Sequence, residues 1–128
     1  MALEGVNCQL INDNEVGYIM GSMTCVLVGA QVILDNGGVL NRAGTSIVAA
    51  IAHMNRKPFY VLAESYKFLR KTFLRQSDIP QQWVEGKTKK AKSVIIDLTP
   101  PEHITTFCTD NGLYTPDVIA VELSKILK

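Results

Sequence analysis

The chain has 128 residues, enough for one domain with an ordinary buried core. Its 47% hydrophobic and 20% charged content is that of a folded globular protein and argues against disorder. Thirteen basic residues against twelve acidic ones leave a net charge of +1, which excludes a global field for gathering nucleic acid or an anionic membrane surface.

No apolar run approaches the ~20 residues that a bilayer helix needs. The start, Met1-Ala2-Leu3-Glu4, has neither a basic n-region nor an apolar h-region, so no signal peptide is expected. Cys8, Cys25 and Cys108 lie far apart in apolar contexts, with no C-x-x-C pair. They read as buried thiols in a reducing compartment, and the cytoplasm is the expected location. His53 and His103 have no metal-ligand spacing, so neither a metal nor a cofactor is expected.

Cys8-Gln9-Leu10-Ile11 is a short strand candidate. Asn12 stands three positions before Glu15, the spacing of a capping box, ahead of a short helix with Val16, Ile19 and Met20 on its apolar face. Gly21 can close that helix. Thr24-Cys25-Val26-Leu27-Val28 is a second, strongly apolar strand.

The stretch Gly29–Phe68 carries most of the functional signal. Val32-Ile33-Leu34 and Val39-Leu40 flank Asp35-Asn36-Gly37-Gly38, which is hairpin-turn chemistry. Asn41-Arg42-Ala43-Gly44-Thr45 then leads into a helical stripe of Ile47, Val48, Ile51 and Met54. Thr45 or Ser46 is the candidate N-cap, leaving backbone N–H groups to face the loop; with Arg42 beside them they form a candidate anion site. Phe59-Tyr60-Val61-Leu62-Ala63 reads as a strand buried on both faces. It ends in Glu64-Ser65-Tyr66-Lys67, polar residues at the carboxyl end, where open α/β sheets place ligands. The candidate ligand residues, for a sugar phosphate or nucleotide, are Asn41, Arg42, Gly44, Thr45 and Lys67. The plainer alternative is a helix entry in which glycine serves the turn and Arg42 is solvated, beside a surface Glu–Lys pair worth under about 1 kcal/mol.

Leu69–Arg75 reads as a helical turn or an irregular arm. The run Lys87-Thr88-Lys89-Lys90-Ala91-Lys92 reads as a solvated loop, since no aromatic residues interleave with its lysines. Trp83 is a candidate partner anchor or a cap for its own loop. Val94-Ile95-Ile96-Asp97-Leu98 is a strand; Thr99-Pro100-Pro101-Glu102 predicts one helical turn. Ile104–Cys108 is the last strand, and Thr115-Pro116-Asp117 starts a final helix with Ile119, Leu123, Ile126 and Leu127 on its apolar stripe. The order of strands and helices predicts a three-layer α/β fold with a mostly parallel sheet. The chain opens with barely a turn before its first strand, where a doubly wound sheet usually has another β-α unit. A piece of a longer protein is therefore expected.

Three separated stretches carry a family resemblance: GAQVILDNGGVLNRAGT (29–45), KPFYVLAESYKF (57–68) and DLTPPEHITTFCTDNGLYTPDVIAVEL (97–123). Together they resemble the carboxy-terminal domain of the regulatory-subunit family of eukaryotic translation initiation factor 2B, the alpha-subunit branch in particular. The resemblance runs from about Cys8 to Leu127. The family also includes the beta and delta subunits and two sugar-phosphate isomerases, acting on ribose 1,5-bisphosphate and methylthioribose 1-phosphate. It implies a Rossmann-like domain, residues 1–128, that follows an amino-terminal helical domain and lacks its first β-α unit.

It also implies a regulatory, non-catalytic role in guanine-nucleotide exchange. The implied partners are a second alpha subunit, the beta and delta subunits, and the phosphorylated alpha subunit of initiation factor 2. No membrane or direct nucleic-acid contact is implied. The alternative is a sugar-phosphate isomerase of the ribose 1,5-bisphosphate type, or its metabolite-binding remnant. Methylthioribose-phosphate isomerases carry Asn-Gly-Asp at the hairpin turn, whereas this chain has Asn36-Gly37-Gly38. Archaeal ribose-bisphosphate isomerases share the Glu-x-Tyr-Lys-Phe ending seen here at Glu64–Phe68. The isomerases' catalytic cysteine lies upstream of the matched region. Without an acid and a thiol over a sugar carbon, proton transfer lacks its players.

Overall fold

The computed structural model describes residues 5–80 and 95–126, with side chains of the final helix as far as Glu122. Lys87–Lys92 and Trp83, singled out above, lie outside the described residues. Eight short strands form two four-stranded sheets. In the first, β1 (Val26–Val28), β4 (Phe59–Leu62) and β7 (Thr106–Thr109) run parallel, and β8 (Gly112–Tyr114) adds antiparallel to β7. In the second, β2 (Val32–Leu34) and β3 (Val39–Arg42) form the hairpin; β5 (Phe68–Leu69) adds parallel to β2, and β6 (Ile96–Thr99) antiparallel to β3. The helices are α1 (Val16–Ile19), α2 (Thr45–Met54) and α3 (Ile119–Ile126). The fold is α/β and Rossmann-like, its first sheet mostly parallel as the strand–helix alternation predicts.

Alternation along the strands decides the core. Phe59, Val61 and Phe107 point to one side of the first sheet, where they meet Ala49 and Ala52 of α2 and Ile33 and Val39 of the hairpin. The small residues let α2 approach closely; both are fully buried. Leu34, Leu40 and Ile96 face the other side of the second sheet, under Phe73 and Ile79. The segment 69–79 is therefore an arm, not a helix: β5, then an extended run, then a 3-10 turn at Gln76–Asp78. The Gln76 side-chain amide completes the arm's attachment. Its Nε2 donates to the Ile96 carbonyl and its Oε1 accepts from the Leu98 N–H, each at 2.8 Å, so it hydrogen-bonds the backbone of β6 as a neighbouring strand would.

Four expectations are corrected. Residues 8–11 form no strand, because no neighbouring strand offers them a ladder; Leu10 is 99% exposed and Cys8 is exposed, not buried. β4 is covered on one face, not two: Phe59 and Val61 are buried while Leu62 is 46% exposed. Asn12 makes no side-chain cap, and Asp13–Glu15 is a 3-10 turn leading into α1. The turn expected after Thr99 is a 3-10 turn at Pro101–His103 with Pro100 at its N-cap, because Thr99 belongs to β6.

The hairpin turn is held against the start of the last helix. Gly37 has φ +87°, and a Cβ there would lie 2.8 Å from both Cβ and O of Pro116. Asn36 Oδ1 accepts from the Gly38 N–H at 2.9 Å, and the Leu34 N–H donates to the Gly38 carbonyl at 2.8 Å. Gly37→Ala is expected to cost more than about 1 kcal/mol in urea unfolding, since strain and overlap add. Gln76→Ala is expected to cost about 1–2 kcal/mol by removing the two hydrogen bonds that tie the arm to β6. Stability within experimental error of the parent in either variant would contradict these roles.

Candidate functional site

The corner between β3 and α2 is built around an acid that sits in an apolar strand. Asp97 of β6 is 6% exposed. Its Oδ2 accepts from the Gly44 N–H at 2.9 Å, the Ser46 N–H at 2.9 Å and the Ser46 hydroxyl at 2.8 Å. A helix start presents unpaired N–H groups and a partial positive charge, so a carboxylate there is favoured twice over. The chain thus supplies its own anion to α2.

Local residues fit that arrangement. Gly44 is the N-cap at φ +110°, a left-handed conformation that glycine adopts freely. Neither Thr45 nor Ser46 caps the helix, as the sequence had suggested. Thr45 Oγ1 turns back to donate to the Arg42 carbonyl at 2.8 Å. Asn41 Nδ2 donates to the Gly29 carbonyl at 3.1 Å and to Thr45 Oγ1 at 3.3 Å, joining the hairpin exit to the carboxyl end of β1.

Beside this corner lies a cavity of about 490 Å³ lined by Asp13, Asn14, Val28, Arg42, Gly44 and Thr45, among others. Three of the five expected ligand residues, Arg42, Gly44 and Thr45, therefore line one cavity. Asn41 flanks it through Thr45. Lys67 does not line it; it sits in the 3-10 turn after β4 with its ammonium 5.4 Å from the Tyr66 ring centroid. The lining includes one acid, Asp13, and no cysteine. Among the described residues no group of three or more His, Cys, Asp or Glu is placed to hold a metal.

The strand-end cluster is a second locus. Asp110, just past β7, accepts from the Ser65 N–H at 2.7 Å and from the Ser65 hydroxyl at 3.1 Å. The Ser65 N–H first, and its hydroxyl too, hold the Asp110 carboxyl below its ordinary value. The Tyr66 phenol, 73% exposed, is raised above its ordinary value by its hydrogen bond to Glu64 and then by that carboxylate's charge.

Sequence reasoning missed Asp97, Asp110 and Asp13. Asp97 carried a signal, because an acid inside Val94–Leu98 is out of place in an apolar strand unless something pairs with it. Asp110 carried none, since a turn acid after a strand is ordinary. Asp97→Ala is expected to cost about 2–4 kcal/mol by urea unfolding, because two part-buried N–H groups and a hydroxyl lose their acceptor. Asp97→Asn is expected to cost less, since the amide oxygen still accepts; equal losses would contradict the assignment.

Comparison with known proteins places this geometry in a lineage. Residues 1–116 match the model of the initiation factor 2 subunit family. The chain is 38% identical to translation initiation factor eIF2B subunit alpha of Caenorhabditis elegans over 95% of its own length and 42% of that protein's. It is 33% identical to ribose 1,5-bisphosphate isomerase of Archaeoglobus fulgidus, over 96% of this chain and 42% of the isomerase. Among solved structures, translation initiation factor eIF-2B of Pyrococcus horikoshii OT3 superposes with a TM-score of 0.73 at 31% identity, covering 88% of this chain and 41% of that one. The chain thus spans about two fifths of the length of the relatives it matches. It belongs to the initiation factor 2 subunit family.

Proposed function

We propose that this chain is the carboxy-terminal, Rossmann-like domain of a regulatory subunit of translation initiation factor 2B, of the alpha type. In this reading it serves assembly and the response to phosphorylated initiation factor 2, and catalyses nothing. The observation that carries it is the similarity to the alpha subunit of Caenorhabditis elegans, spread over 95% of the chain. The corner geometry supports it. The first-turn N–H groups of Gly44 and Ser46 are taken by Asp97 and so are not free to hold the anion of a substrate. A second alpha subunit, the beta and delta subunits, and the phosphorylated alpha subunit of initiation factor 2 are the partners this reading assigns, in the cytoplasm.

A second reading is favoured by one observation. The cavity beside Arg42 keeps room for a small ligand, and an archaeal relative is a ribose 1,5-bisphosphate isomerase. In that reading Arg42, with Gly44, Thr45 and Asn41, retains a sugar phosphate or nucleotide without turning it over. Lys67 contributes only if the turn after β4 moves toward the cavity.

Affinity purification of the protein at its full natural length tests the first reading. The beta, gamma, delta and epsilon subunits are expected to co-purify, and ribose 1,5-bisphosphate is expected to remain unconverted. Turnover of that substrate, or recovery without the other subunits, would overturn it. For the second reading, a sugar phosphate at about 100 times its Kd would raise stability by about 2.7 kcal/mol. Arg42→Gln is expected to abolish that rise, and an unchanged melting temperature at millimolar ligand in the parent would end the reading.

A further inference from the structure

The opposite end of α2 carries a cluster that neither reading uses. An open cleft of about 360 Å³ is lined by His53, Arg56, Lys57, Glu102, His103 and Thr105, with Pro58 and Ile104. It lies at the amino ends of β4 and β7, the far side of the first sheet from the Asp97 corner. Four side chains able to carry positive charge converge there against one carboxylate. The His53 and His103 ring centroids lie 4.6 Å apart, with the ring planes tilted by 34°. Among the described residues, neither Arg56 nor Lys57 is ion-paired.

Helix capping accounts for the backbone of Arg56 and Lys57 but not for their side chains. The last carbonyls of α2 are already satisfied: Ile51 O accepts from the Asn55 backbone and side-chain amides, His53 O from the Arg56 N–H, and Ala52 O from the Lys57 N–H. That pair of closing bonds is a Schellman motif, whose left-handed residue is usually glycine. Here it is Arg56, at φ +56°. An L-residue held in that conformation is strained, and such strain clusters at functional positions. His103 Nδ1 is buried and has no hydrogen-bond partner among the described residues. The cleft thus combines an unfavourable backbone choice, unpaired cations and an orphaned ring nitrogen.

We propose that this cleft is a second ligand site, taking inorganic phosphate or a small phosphate monoester through Arg56, Lys57, His53 and His103. A phosphate dianion offers acceptors for the Arg56 fork and the Lys57 ammonium. A protonated imidazole adds a charge-assisted donor. Burial, and then the His53 charge, push His103 below its ordinary value, with Glu102 opposing. Glu102 on its own turn, and Asp117 on the turn packed beside it, are the neighbouring acids. Without ligand, the stability linked to His103 is present above about pH 6.5 and lost as pH falls below it.

Titration with inorganic phosphate and, separately, phenyl phosphate, followed by the imidazole proton resonances of His53 and His103, tests this. Saturable shifts with Kd ~1 mM are expected. Binding of phenyl phosphate alone would assign the site to monoesters, and binding of both to the dianion itself. Arg56→Gly is expected to weaken binding at least about tenfold while leaving the melting temperature equal or higher, because glycine relieves the left-handed strain. His53→Gln, an exposed position, is expected to weaken binding without unfolding the chain. Shifts that never saturate, or affinities unchanged in both variants, would overturn the proposal.

Discussion

One buried carboxylate ties the second sheet to the first. Asp97 leaves β6 and takes the first-turn N–H groups of α2, whose other face, through Ala49 and Ala52, fills the core above Phe59, Val61 and Phe107. Three hydrogen bonds to one oxygen fix where the helix begins and how it approaches β6. A buried charge without such partners would not be tolerated; a helix start without an anion would leave donors unmatched. Through Oδ2 each group supplies what the other lacks, while Asp97 Oδ1 stays buried without a hydrogen-bond partner among the described residues. The position of the hairpin, the closeness of the small residues on α2 and the shape of the cavity beside Arg42 all follow from that contact.

Much of this was legible in the sequence and some was not. The hairpin at Asp35–Gly38 and the strands β1, β4 and β7 follow from local turn chemistry and periodicity. The span of α2 was legible too, but not its buried face: of the expected stripe, Ile47 is 62% and Met54 80% exposed, and Ala49 and Ala52 face the core instead. What failed was long-range. Residues 8–11 have the composition of a strand but no neighbour to pair with. β4 has apolar residues on both faces, as a doubly covered strand does, yet only the Phe59–Val61 face meets the core. Leu27, Leu62 and Leu113 remain more than two-fifths exposed on the first sheet. The identity of the anion at α2 was equally hidden. The sequence marks Gly44 to Ser46 as a place that wants negative charge; it does not say that the charge comes from a residue fifty positions later.

Those points bear on function. A corner that reads as a phosphate cradle is, in the folded chain, closed by its own acid. In the adjoining cavity Arg42 lies beside Asp13 and Asn14. Around Asp110, Ser65 and Tyr66, by contrast, the polar groups at the strand ends satisfy one another and order the loops after β4 and β7. The two ends of α2 are therefore unlike: one is met by Asp97, the other carries Arg56 and Lys57, which no carboxylate pairs among the described residues.

Native-state amide exchange at Gly44 and Ser46, in the parent and in an Asp97→Ala variant, reads the Asp97 contact most directly. The account predicts that both amides are protected in the parent and become the fastest-exchanging donors of α2 in the variant, with the amides around Val61 still protected. Equal protection of Gly44 and Ser46 in the two proteins would contradict it.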